Sequence, residues 1–142
     1  MIEIKQIGIQ DIEQLQAIGR QTFAETFADS NSSENMAKYL EEAYAHEKLS
    51  SELMNPNSEF YLASLDDEVI GYLKLNFGNA QTELKDNEAA EIERIYVAKA
   101  FHGKKIGQSL YNKAIEIAKA KNVNYIWLGV CLLYTSDAPT KA

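Results

Sequence analysis

Six consecutive residues, His102-Gly103-Lys104-Lys105-Ile106-Gly107, carry the clearest chemical signal in the sequence. An apolar, β-branched segment, Ile92-Glu93-Arg94-Ile95-Tyr96-Val97, leads into them, and a helical pattern of Ile106, Leu110, Ala114, Ile117 and Ala118 leads out. A strand that passes through such a loop into a helix presents unpaired backbone N–H groups at the positive end of the helix dipole. That combination binds phosphate or pyrophosphate. Gly103 and Gly107 let a ligand come close to the backbone, and Lys104 and Lys105 add charge beside bound phosphates. The spacing is neither G-x-x-x-x-G-K-[ST] nor G-x-G-x-x-G, so the six residues read equally as a plain strand-to-helix turn with surface lysines.

The elements that must position this loop follow from periodicity. Ile2-Glu3-Ile4-Lys5 alternates as a strand. Ile12, Leu15 and Ile18 mark one face of a helix opening at Asp11, and Phe23 and Phe27 form an i,i+4 pair further along. Residues 29–33 are a turn cluster. Asn31 with Glu34 resembles a capping box for a helix through Met36, Tyr39, Leu40 and Tyr44. A short helix from Leu49 to Met54 must stop before Asn55-Pro56. Phe60–Ala63 and Val69–Leu75 read as a hairpin turning at Asp66-Asp67-Glu68. The helix after the loop runs to about Asn122, and Tyr125–Val130 is a last strand. The order β, α, α, α, β, β, β, α, β, ending in a strand–helix–strand crossover, gives an α/β domain: a mixed sheet with helices on both faces.

Composition narrows the function. The 142 residues fit one domain, and a hydrophobic fraction of 46% with 25% charged residues is ordinary for a globular protein. No apolar run reaches a membrane span and the N-terminus lacks a signal-peptide core. A net charge of −7 argues against nucleic-acid binding. It favours a cationic small molecule and serves solubility equally well. The single cysteine, Cys131, excludes an internal disulfide framework and points to a reducing, cytoplasmic setting. His46 and His102 are far apart and no metal-ligand spacing occurs, so no metal is expected. Oligomeric state has no signature in the sequence.

Ile95-Tyr96-Val97 followed by the 102–107 loop resembles motif A of the Gcn5-related N-acetyltransferases, [QR]-x-x-G-x-[GA]. His102 stands at the first position, Lys105 at the first glycine, and Gly107 matches the last. The resemblance widens to the PaiA-type polyamine acetyltransferases. It runs through Arg20-Gln21-Thr22-Phe23-Ala24-Glu25-Thr26-Phe27, Glu34-Asn35-Met36-Ala37-Lys38-Tyr39-Leu40, Asn57-Ser58-Glu59-Phe60-Tyr61, Gly71-Tyr72-Leu73-Lys74-Leu75-Asn76 and Glu91–Val97.

The resemblance implies the acyl-CoA N-acyltransferase fold, with a mostly antiparallel sheet, and acetyl transfer from acetyl-CoA to a primary amine such as a polyamine. It implies pantetheine pairing with the backbone of Ile95, Tyr96 and Val97. Pyrophosphate then lies on the N–H groups of the loop, from His102 through Gly103, Lys104, Lys105, Ile106 and Gly107 to Gln108. Lys105 keeps its N–H, at a cost if its φ is positive. In such a site Glu93 is the first choice as general base and Glu91, on the same face, the reserve. Glu93 reads otherwise as a solvent-facing glutamate or a partner of Arg94. The Val97 N–H would steady the oxyanion. The first helices wall the acceptor pocket, which assigns substrate contacts to Phe23, Glu25, Phe27 and Tyr39, with Tyr44 nearby. Phe23 and Phe27 read equally as core packing. A non-catalytic, acetyl-CoA-binding regulatory protein is the alternative.

After Gly129-Val130 the family continues with a helix carrying a cofactor-contacting Asn and a Tyr that protonates the departing thiolate, then two strands. Residues 131–142 have no helical period, and Pro139 interrupts them. The resemblance therefore implies a domain over residues 1–130 that lacks its C-terminal helix and strands, with 131–142 a tail outside the family pattern. Tyr134 does not match the family's Tyr, and on this reading turnover is weak or absent.

Overall fold

The computed structural model describes residues 2–27, 33–83 and 85–128. Strand β1 (Ile2–Ile7) leads through a 3-10 turn into helix α1 (Ile12–Phe27), followed by α2 (Ser33–Ala43) and α3 (His46–Met54). Strands β2 (Ser58–Leu65), β3 (Glu68–Phe77) and β4 (Ala89–Val97) come next, then helix α4 (Ile106–Ala120) and strand β5 (Tyr125–Leu128). This is the order expected from the sequence. The capping pair at Asn31 and the tail at 131–142 lie outside the described residues.

Local chemistry sets these boundaries. Helix α1 buries Ile12, Leu15 and Ile18 on one face. Helix α3 stops at Met54 because Asn55 is extended (φ −71°, ψ 119°), as the following Pro56 requires. The β2–β3 hairpin turns on Asp66 and Asp67, at φ 50° and 69°. A two-residue hairpin turn with both centres left-handed matches the strand twist, and aspartate tolerates it.

The sheet order is β1-β2-β3-β4-β5. The first three pairings are antiparallel and the last is parallel, with α4 as the crossover. Two neighbours on β3 show where the layers lie. A side chain at Gly71 would point at Leu110 of α4, whereas the Tyr72 hydroxyl lies 3.4 Å from that of Tyr44. Successive strand residues face opposite sides, so α4 covers one face and the α1–α3 layer the other. Leu15, Leu49, Phe60, Tyr72, Ile92 and Leu110 are fully buried between these layers.

One register change bears on function. Lys74 pairs with Arg94, but the next β3 residue, Leu75, pairs with Ile92. Glu93 is therefore an extra residue in β4, a β-bulge.

Close approach of β3 and β4 makes Gly71 obligatory. A Cβ there would sit 2.7 Å from the Tyr96 carbonyl oxygen and 3.4 Å from the Val97 Cα. Gly71→Ala is expected to destabilise the fold by about 2 kcal/mol, the scale of an overpacking substitution. A urea unfolding curve checks this, and an unchanged midpoint would refute the tight approach.

Candidate functional site

Strand β4 is paired on both sides only over its first half. Among the described residues, β5 meets Ala89 to Ile92 and no residue beyond. Among the described residues, Glu93 to Val97 thus has β3 on one side and an open edge on the other. Ala98 N–H donates to the Ile70 carbonyl at 2.7 Å. By alternation along an antiparallel ladder, the N–H and C=O groups of Ile95 and Val97 aim at the open edge. The His102 ring donates from Nε2 to the Val97 carbonyl at 2.8 Å, and that oxygen keeps a second lone pair for a ligand. A ligand bearing amides can lie along this edge as an added strand.

The loop behind that edge is built for anions. Gly103 (φ 84°) and Lys105 (φ 63°) are both left-handed. Lys105 is the N-cap of α4, which has no side-chain cap. The first helical bond runs from Ser109 N–H to the Lys105 carbonyl, so the N–H groups of Ile106, Gly107 and Gln108 have no partner within the helix. A Cβ at Gly103 would meet nothing within 4 Å, so the concavity is open there. Lys104 and Lys105 are exposed beside it. Open-edge amides followed by a turn of N–H groups and two cations fit a pantetheine arm followed by a pyrophosphate.

A cavity of about 280 Å³ lies on the α1–α3 side of β4. Phe23 and Phe27 of α1 and Tyr39 of α2 form one wall; Glu93, Arg94 and Tyr96 of β4 form the other; Tyr44 and Lys48 close it between α2 and α3. The bulge explains how Glu93 and Arg94, adjacent in sequence, both reach this cavity: it re-aims a side chain that regular alternation would send to the other face.

Glu93 is a hub. Its Oε1 is 2.8 Å from Lys74 Nζ and its Oε2 is 3.2 Å from an Arg94 guanidinium nitrogen. Asn76 Nδ2 donates to Glu93 at 2.8 Å and to the buried Glu91 at 3.0 Å. Glu52 of α3 completes the network with Lys74 at 3.2 Å and Arg94 at 3.0 Å. Burial alone would raise the Glu93 pKa, but Arg94, Lys74 and the Lys74 and Asn76 hydrogen bonds outweigh it and hold the carboxyl below its ordinary range. Burial would lower that of Arg94, yet Tyr72, Glu52 and Glu93 drive it up. Glu93 is therefore ionised and weakly basic. Burial also raises the Tyr44 phenol, which stays protonated.

The residues singled out in the sequence are placed as follows. Phe23, Phe27, Tyr39, Tyr44 and Glu93 meet at the cavity. Phe23 is both packing and wall, with ring centroids 4.5 Å from Phe27 and 4.5 Å from Tyr39. Glu25 is not among the cavity residues: its Oε1 accepts the Lys99 backbone N–H at 2.8 Å, bracing the turn before the loop. Glu91 accepts from Thr82 N–H (2.8 Å) and Thr82 hydroxyl (2.5 Å) as well as Asn76, and is spent on that polar cluster. Glu52, Lys74, Asn76 and Lys48 were not picked out from the sequence. A signal existed for Lys74 and Asn76, which share the inward parity of Tyr72 in an otherwise apolar strand. No group of three or more His, Cys, Asp or Glu among the described residues is arranged to hold a metal, and no described helix is long and apolar enough to cross a membrane.

Comparison with known proteins adds an independent line. The model of the Acetyltransferase (GNAT) family matches residues 19–135. An uncharacterised N-acetyltransferase of Lactobacillus delbrueckii subsp. lactis is 42% identical over 129 residues, 91% of this chain and 75% of the relative. A spermidine N(1)-acetyltransferase of Thermoplasma acidophilum is 31% identical over 126 residues, 86% of this chain and 73% of the relative. The crystal structure of the PaiA N-acetyltransferase of that organism with coenzyme A superposes with a TM-score of 0.77 at 30% identity, over 90% of this chain and 78% of that one. An aminoglycoside acetyltransferase from a soil metagenome, in complex with sisomicin, shares the fold with a TM-score of 0.69 at 17% identity, covering 90% and 76% of the two chains.

Two outcomes follow from this geometry. Lys105→Gly relieves a left-handed side chain and is expected to stabilise the protein by about 0.5–1 kcal/mol in thermal unfolding; a loss of stability would contradict the strain. The lowered Glu93 pKa means its stabilisation is complete above its ordinary value of 4.5 and is lost as pH falls through the lower folded value. The stability gap between wild type and Glu93→Gln in urea should therefore shrink below pH 4.5, and a constant gap would refute the pairing.

Proposed function

The chain belongs to the GNAT family of acetyltransferases, whose acetyl donor is acetyl-CoA, and we propose that its acceptor is a primary amine of a polyamine. The observation that carries this reading is that the open β4 edge and the aromatic cavity share one strand. Ile95 and Val97 offer backbone to one side, while Glu93, Arg94 and Tyr96 line the other. The spermidine acetyltransferase among the relatives supports the acceptor class.

Acetyl-CoA, when bound, supplies an acetyl thioester open to attack by an amine. The backbone of Ile95 and Val97 holds the pantetheine arm, and the N–H groups from Gly103 to Gln108, with Lys104 and Lys105, hold the pyrophosphate. The Val97 N–H donates toward the acyl oxygen as charge gathers there. The aromatic walls take the methylene chain of the amine. Attack needs the neutral amine, whereas a free amine is protonated near pH 7. Burial and a lining of Lys48 and Arg94 against Glu93 alone, whose carboxylate Lys74 already pairs, disfavour the ammonium form at the reaction end. The N–C bond forms as the C–S bond breaks, and CoA leaves as its thiolate, which takes up a proton from water. The proton leaves the nitrogen through water, with Glu93 as the carboxylate that orients and accepts it in passage. The single cysteine, Cys131, accords with a cytoplasmic setting.

Calorimetry with CoA followed by a thiol-release assay with acetyl-CoA and spermidine tests this. We expect CoA binding, weak spermidine-dependent thiol release, and a further loss of about 100-fold in kcat for Glu93→Gln. CoA binding without thiol release for any amine would instead support a regulatory acetyl-CoA-binding role.

A further inference from the structure

Glu52 stands in the last turn of α3, where the helix dipole disfavours a carboxylate, and no basic residue accompanies it there. Its side chain leaves the helix for the sheet. Oε1 lies 3.0 Å from Arg94 Nη1 and 3.2 Å from Lys74 Nζ, and Oε2 accepts from Arg94 Nη2 at 3.3 Å. Glu93 uses the same two cations, with Lys74 at 2.8 Å and Arg94 at 3.2 Å. Two carboxylates and two cations therefore alternate in one closed group across β3, β4 and α3. The side chains of Glu52 and Lys74 are only 16% and 7% exposed, so water screens the group little. Glu93 and Arg94 line the acceptor cavity, whereas Glu52 and Lys74 are not among its described lining residues.

We propose that Glu52 is a positioning residue for Glu93: by sharing Arg94 and Lys74 it limits their pull on the Glu93 carboxylate and keeps that carboxylate able to accept a proton. The catalytic consequence rests on the acetyl-transfer reading; the effect on Glu93 itself does not. The groups that face Glu93 are Lys74 and Asn76 from β3, Arg94 from its own strand, and Tyr44 and Lys48 across the cavity. Glu91 joins through Asn76, but its oxygens accept from Thr82 and Asn76 and it makes no ion pair among the described residues. Glu52 is thus the carboxylate that competes for the cations of Glu93. Without it, Arg94 and Lys74 face Glu93 alone, the group becomes net positive, and Glu93 gives up its charge less readily. Without Lys74 the imbalance reverses: two carboxylates share Arg94, and Glu93 takes a proton more readily. Both changes loosen the same group, yet they push Glu93 in opposite directions.

The test is an NMR titration of the Glu93 side-chain carboxyl carbon in the whole chain, the resonance being identified by its absence in Glu93→Gln. We expect Glu52→Gln to lower the titration midpoint, Glu52→Asp to bring it back toward that of wild type, and Lys74→Met to raise it. Mere loosening would move the midpoint toward the ordinary value of 4.5 in every variant. A midpoint in Glu52→Gln at or above that of wild type therefore overturns the proposal. Glutamine keeps the shape of Glu52 and an oxygen that accepts from Arg94, so the comparison of Glu52→Gln with Glu52→Asp decides the matter even where Lys74→Met does not fold. Thiol release with spermidine reads the catalytic consequence. We expect kcat to fall about threefold in Glu52→Gln with KM unchanged, the response to a weaker base. An unchanged kcat beside a lowered midpoint overturns the catalytic role. A lowered midpoint with no thiol release by any of the proteins keeps the control of Glu93 by Glu52 and removes acetyl transfer.

Discussion

One extra residue in β4 organises this molecule. If β4 ran in plain register against β3, Glu93 and Arg94 would face opposite layers, and the carboxylate would lie under α4. The bulge turns both onto the α1–α3 side. There they must be neutralised, because an isolated buried charge costs several kcal/mol, on the order of the whole stability of a domain. Lys74 and Glu52 do this at 2.8–3.2 Å, which explains why a lysine that is 6% exposed sits in the middle of the sheet. Asn76 then joins the Glu93 group to Glu91 and, through it, to Thr82 in the β3–β4 connection. The bulge also marks where β4 changes neighbours among the described residues, with β5 beside it before Glu93 and an open edge after.

On the proposed reading, the open edge and the loop hold acetyl-CoA through backbone groups, and that accounts for the tolerance of side-chain change in the motif. His102 in place of Gln or Arg directs its ring to the Val97 carbonyl. Lys105 in place of glycine retains both its N–H and the left-handed geometry the turn requires. Such a turn is dictated by the path from strand to helix, and the residue occupying it bears the strain. The pattern of glycines is thus a weaker guide to the site than the order of strand, turn and helix.

That order was legible because it rests on local periodicity. Ile12, Leu15 and Ile18 at helical spacing, the alternation of Ile2 to Lys5, and Pro56 after Met54 each specify an element without reference to the rest of the chain. The cavity was partly legible: Phe23, Phe27, Tyr39 and Glu93 were placed together by resemblance, and the structure brings them together. What could not be read depends on register. Whether Glu93 sits in or out of alternation is decided by how β3 and β4 slide past each other, not by either sequence alone. Glu25 illustrates the same limit. It lies two residues from Phe23 and Phe27, on a different face of α1, and spends its carboxylate on the Lys99 N–H. Lys48 entered the cavity unannounced because a lysine on a short amphipathic helix carries no mark distinguishing cavity from solvent.

A protein of net charge −7 that takes a polyanionic donor and, as proposed, a basic acceptor faces opposed electrostatic demands. The overall field draws cations and repels phosphates. The structure meets this by placing cations and acids on different elements. Lys99, Lys104 and Lys105 gather at the uncapped end of α4, where the helix dipole and free N–H groups add to them. Acidic residues gather on α2 and α3, near the mouth on the acceptor side. Between the two lies the near-neutral Glu52–Lys74–Glu93–Arg94 group. It neither repels an arriving anion strongly nor holds an ammonium in its charged form. A stronger free carboxylate at that junction would bind the cationic acceptor more tightly and at the same time keep it protonated, and so unreactive. On the proposed reading, the pairing of Glu93 weakens ground-state attraction to the ammonium at the point where the nitrogen must give up its proton.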